Sequence, residues 1–112
     1  MGHAYLQLGN TVQARDSLQE AVRLNPEKPE PWMDLGLVQQ KSGDLGGAVQ
    51  AYRAAMKIQA TDVGFLLLAR ALEQSGRPAE AQTAMLQAKA LSRNFDEAQR
   101  LVEQLLSKPS LQ

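Results

Sequence analysis

EPWMDLGLVQQKSGD, residues 30–44, holds the only tryptophan of the chain. Trp32, Leu35, Gly36 and Gln39 fall at i, i+3, i+4 and i+7, the spacing of one face of a helix. Ser42-Gly43-Asp44 then stops that face. Gly43 can take the left-handed conformation that ends a helix, and Asp44 can cap the next one. Beyond the turn, Ala48, Tyr52 and Ala55 repeat helical spacing. The stretch therefore reads as the first half of a helical hairpin. Gly36, Ala48 and Ala55 are small where two helices would approach most closely. Larger side chains there would push the axes beyond about 8–10 Å.

The unit recurs. Gly2, Gly9, Ala14, Leu18, Ala21 and Leu24 return 34 residues later as Gly36, Gly43, Ala48, Tyr52, Ala55 and Ile58. A third copy follows at a 33-residue step, from Phe65, Leu68, Ala69 and Gly76 to Ala81, Met85, Ala88 and Leu91. The shorter step lies between copies, in a loop, and disturbs no helix. Copy three turns through Ser75-Gly76-Arg77-Pro78, with Pro78 near a first helical position, where its missing N–H costs nothing. Thr61 or Asp62 starts its first helix. Gly46, Gly47 and Gly64 run against helix propensity by about 1 kcal/mol each relative to alanine, and close packing or a loose first turn would account for them.

These residues resemble the tetratricopeptide repeat, whose pattern W-x2-L-G-x2-Y…A-x3-F…P spans about 34 residues. Trp32, Leu35, Gly36, Ala48 and Tyr52 match it, while Gln39 replaces an aromatic and Ala60 stands where copy one has Pro26. The resemblance covers roughly residues 1–91. It implies an all-α, right-handed superhelical solenoid of antiparallel helix pairs, about two and a half units long. Residues 1–112 then form a single domain: a truncated repeat over 1–28, repeats over 29–61 and 62–94, and a capping helix over 95–107. Residues 108–112 read as a frayed tail. Met1-Gly2 falls mid-helix in the repeat pattern, as if the array were cut. In the last segment, Asn94 and Glu97 form a capping arrangement, and Phe95, Ala98, Val102, Leu105 and Leu106 form an apolar stripe.

Composition excludes several function classes. Twelve basic residues balance twelve acidic ones, so no strong field gathers nucleic acid or anionic lipid. The apolar run VGFLLLARAL is too short to span a bilayer and contains Arg70. The absence of cysteine excludes disulfides and thiolate metal sites and fits a cytoplasmic setting. His3, the lone histidine, has few partners to act as a ligand or general base. GDLGGA follows a helix and lacks the lysine of a phosphate loop, so it reads as an inter-helix turn. The expectation is a non-catalytic chain without cofactor or metal.

What remains is a binding surface. The resemblance implies that first helices line a concave groove for a peptide or helix of another protein. Inward positions are then Leu6 in copy one, Met33, Asp34, Leu37 and Lys41 in copy two, and Leu66, Leu67, Arg70 and Gln74 in copy three. Met33, Leu37, Leu66 and Leu67 would form an apolar strip rimmed by Asp34, Lys41 and Arg70, and contiguous apolar surface marks an interaction site. Coverage of that strip by the chain's own tail, by another repeat or by a second copy is the alternative, as is a homodimer through the truncated N-terminal edge. One subtype of the family grips C-terminal carboxylates with Asn and basic groups. Asp34, Val63 and Leu67 stand at those positions here, so capture of acidic tails is expected to be weak.

Overall fold

The computed structural model describes the backbone of residues 2–107 and the side chains of residues 12–107. Six helices follow one another: α1 (Gly2–Leu24), α2 (Pro29–Ser42), α3 (Leu45–Ile58), α4 (Asp62–Gln74), α5 (Pro78–Leu91) and α6 (Phe95–Ser107). No strand occurs among the described residues. α2 pairs with α3 and α4 with α5, and the pairs stack through α3 and α4. The fold is thus an all-α solenoid.

The turns inside both pairs have one mechanism. Gly43 sits at φ 94° and Gly76 at φ 82°. In the first turn, Asp44 N–H donates to the Gln39 carbonyl at 2.8 Å and Gly43 N–H to that of Gln40 at 3.2 Å. In the second, Arg77 N–H donates to the Leu72 carbonyl at 2.8 Å and Gly76 N–H to that of Glu73 at 3.1 Å. Each is a Schellman closure, which satisfies carbonyls left open at a helix end. Asp44 caps α3 by accepting from Gly47 N–H at 3.1 Å. Thr61, rather than Asp62, caps α4, accepting from Gly64 N–H at 3.1 Å. Asn94 caps α6 through Glu97 N–H at 3.1 Å.

Packing explains the small residues. A Cβ on Gly36 would lie 2.6 Å from Cε1 of Tyr52, a ring with 0% exposure. Gly47 leaves room for the Asp44 carboxylate and the Gln39 amide, and Gly64 lies under the Met56 thioether. Gly46 has open space around it, and nothing in the structure accounts for it. Trp32 is structural. Its indole N–H donates to the Pro26 carbonyl at 3.0 Å, and its ring packs against a cluster of Val22, Leu35 and Ala51.

Copy one departs from the expected helix pair. α1 continues unbroken through Gly9 and Asn10 to Leu24. Continuing the helix through Gly9 adds one backbone hydrogen bond per residue, which outweighs the propensity cost of a single glycine. Among the described residues no first helix folds onto α1. Ala48, Tyr52 and Ala55 of copy two are wholly buried, but the matching Ala14, Leu18 and Ala21 are only half-buried.

α6 spans the residues of the apolar stripe, and its principal neighbour is α4. Ala98 and Val102 enter the main core alongside Leu66, Leu67, Ala69 and Leu72. Lys89 lies 5.5 Å from the Phe95 ring and secures the start of α6. A wide cleft of about 770 Å³ stays open between the α5 end and α6, with Leu91 and Leu101 exposed along it.

Candidate functional site

The placement of α6 divides the expected groove. Leu66 and Leu67 are each 1% exposed and belong to the core shared with α6 and with Met33 and Leu37 of α2. They offer no surface, so the continuous strip expected from the sequence does not exist. α4 has a neighbour on each flank, and its apolar residues are spent on packing. The signal was present: Phe65-Leu66-Leu67-Leu68-Ala69 and Ala71-Leu72 are apolar all round, as a fully enclosed helix requires. Arg70 is also engaged, its guanidinium donating to Glu103 of α6 at 2.9 Å. Gln74 is exposed but accepts from the Gln40 amide at 2.8 Å. Gln40 in turn accepts from the buried Tyr52 hydroxyl at 2.8 Å, so this chain of polar groups ties α3, α2 and α4 together. Burial pushes the Tyr52 hydroxyl well above its ordinary pKa, and it stays a neutral donor.

The open surface is on α2. Glu30, Met33, Asp34, Leu37, Val38 and Lys41 fall at i, i+3, i+4, i+7, i+8 and i+11, one helical face. Two clefts flank this face and meet at Asp34. One, about 280 Å³, is lined by Glu30, Met33, Met56, Gln59 and Thr61 near the α3–α4 corner. The other, about 340 Å³, is lined by Leu18 of α1 with Leu37, Val38 and Lys41. Met33, Leu37 and Val38 are half-buried, with their outer sides forming the floor. Met33, Asp34, Leu37 and Lys41 lie on this one face, Met33 in the first cleft, Leu37 and Lys41 in the second, and Asp34 in both. The Leu6 side chain lies outside the described residues, as do those of His3 and Gln7 and the tail 108–112.

Glu30, Val38 and Leu18 join the site without having been singled out. Val38 follows Asp34 by one turn, so reading the whole i, i+4 row would have found it. Leu18 could not be found that way, because its matching residue Tyr52 is buried; only the open flank of α1 exposes it.

The Asp34 carboxyl is held above the ordinary carboxylate value of 3.8, first by partial desolvation and second by the neighbouring charge of Glu30. The folded state therefore binds this proton more tightly than the unfolded chain. Stability is lost as pH rises from 3.8 through the raised pKa. Asp34→Asn is accordingly expected to raise Tm at neutral pH, with the difference vanishing below the unfolded value. Solvent screening keeps the gain under about 0.5 kcal/mol. Thermal melts of both proteins across pH 3–7 check this; a neutral-pH loss in Asp34→Asn would contradict it.

Among the described residues there is no cluster of histidine, aspartate and glutamate able to hold a metal, and no helix long and apolar enough to cross a membrane. A family model described as "Tetratricopeptide repeat" matches residues 39–105, and one described as "TPR repeat" matches residues 2–43. The chain is similar to the TPR repeat-containing protein PA0015 of Pseudomonas aeruginosa, 36% identical over 61 residues, which are 54% of this chain and 58% of that protein. It is also similar to the TPR repeat-containing protein MJ1428 of Methanocaldococcus jannaschii, 35% identical over 57 residues, 51% of this chain and 10% of that protein. The alignments thus span just over half of the first relative and a small part of the second.

Proposed function

Because the chain belongs to the tetratricopeptide-repeat family, whose members generally mediate protein–protein interaction, we propose that it is a non-catalytic scaffold that docks a segment of another protein along α2. One observation carries this reading. α6 seals the outward face of α4, whereas the matching face of α2 stays open between two apolar-walled clefts. A contiguous apolar face left open beside a sealed one is surface available for a partner.

Val38→Glu tests it. Val38 lines the cleft but is absent from the main cores, so a charge there blocks docking while the fold persists. Partner capture is expected to fall at least about tenfold, as for loss of a central apolar anchor, with helicity and Tm unchanged. Leu37→Glu is the second variant, with circular dichroism to separate lost docking from lost packing, because Leu37 also packs against the main core. Capture unaffected by either would overturn the reading.

A second reading has its own observation. The half-open Ala14, Leu18 and Ala21 on α1, beside exposed Val12 and Leu24, form a helix flank that another chain can cover. Self-association through that flank predicts a mass by light scattering that rises with concentration and falls back with Leu18→Glu. A strict monomer would remove it.

A further inference from the structure

The α2 face also specifies what kind of segment fits. We propose that its occupant is an amphipathic helix bearing a lysine or arginine beside its apolar seam, with the cation seated against Glu30 and Asp34 and the seam on Leu18, Leu37 and Val38. This rests on the α2 docking reading above and adds a charge to it.

Shape selects a helix. The face is straight, about 16 Å from Glu30 to Lys41 at 1.5 Å per residue. Its side chains stand at three- and four-residue intervals, so they form ridges that mesh with those of another helix. Leu18 on one side and Met56 with Thr61 on the other raise walls along it. No strand edge exists among the described residues to take an extended peptide by sheet pairing. The molecule contains such a docking already: α6 lies on α4 with small and β-branched Ala98 and Val102 buried and one flanking ion pair, Arg70 to Glu103.

Charge selects the cation. Glu30 and Asp34 are one turn apart on the same helix, a like-charge pair that is mutually unfavourable. The ion pairs Arg15–Asp16, Arg23–Glu20, Arg53–Glu80 and Arg70–Glu103 involve neither carboxylate. Asp34 already feels both partial desolvation and its neighbour's charge. Covering it with an apolar or acidic segment would deepen both penalties. A cation placed between the two carboxylates removes the repulsion and offsets the desolvation.

The test uses two synthetic capped helical peptides of about four turns, with one leucine–alanine seam and, beside it, lysine in one and glutamate in the other. Each is titrated calorimetrically into the full chain. The lysine peptide is expected to bind at least about tenfold more tightly, as close cross-interface charge pairs do. Asp34→Asn should weaken the preference and Asp34→Asn combined with Glu30→Gln should erase it, with circular dichroism confirming that both variants fold. If both peptides bind equally and Val38→Glu abolishes both, α2 docking stands and the charge inference falls. If neither binds, or binding survives Val38→Glu, both readings fall. If the peptide-free chain dimerises and the dimer excludes the lysine peptide, a second copy is the occupant and the inference is overturned.

Discussion

Leu67→Glu is expected to unfold the chain, with loss of the cooperative thermal transition and most of the helical circular dichroism. Leu67 is 1% exposed within the core that joins α2, α4 and α6. A carboxylate there loses its water and finds no cation, since the nearby Arg70 is committed to Glu103. An unpaired buried charge costs several kcal/mol, comparable to the whole stability of a small domain, about 5–15 kcal/mol. Leu67→Ala, which only leaves a cavity, should cost about 2–5 kcal/mol. From the repeat pattern alone Leu67 would be an inward groove residue, and its glutamate variant would lose binding while keeping helicity. A folded Leu67→Glu protein with unchanged Tm would mean that α6 does not seat on α4.

Gly36→Val is the second large effect. The new Cβ would lie 2.6 Å from the ring of a wholly buried Tyr52, and valine adds two methyl groups beyond it. Overpacking of this kind costs about 1–3 kcal/mol and forces the axes of α2 and α3 apart. The Tyr52–Gln40 hydrogen bond, 2.8 Å, would be strained as well. Gly36→Ala should still destabilise, although alanine gains about 1 kcal/mol in helix propensity. Copy three shows the remedy, pairing Ala69 with Met85 where copy two pairs Gly36 with Tyr52. Gly36→Ala combined with Tyr52→Met should therefore be more stable than the sum of the single changes. Strict additivity by denaturant titration would show that the two residues do not meet as described.

Pattern and packing were legible to different depths. α2 through α5 could be read because the turn inside each pair carries its own local signal. Gly43 and Gly76 adopt positive φ, and Asp44, Thr61 and Asn94 cap as their chemistry requires. Gly9 shows the limit. Its local sequence permits the same turn, yet α1 runs straight through it. A turn forms when the two arms bury surface against each other, and in α1 the residues on either side of Gly9 instead share one continuous helix. The site divided in the same way. Met33, Asp34, Leu37 and Lys41 share an open face because helical spacing alone puts them there. Leu66, Leu67 and Arg70 obey the same spacing but lie under α6.

By itself, then, the sequence determined α2 to α6, the turns at Gly43 and Gly76 and the small residues that let the helices pair, because those depend on neighbours within one or two turns of chain. Only the tertiary structure decided which outward faces remain outward. That depends on where α6 comes to rest, and its apolar stripe binds whichever flank buries the most area. It settled on α4, and the matching face of α2 stays open.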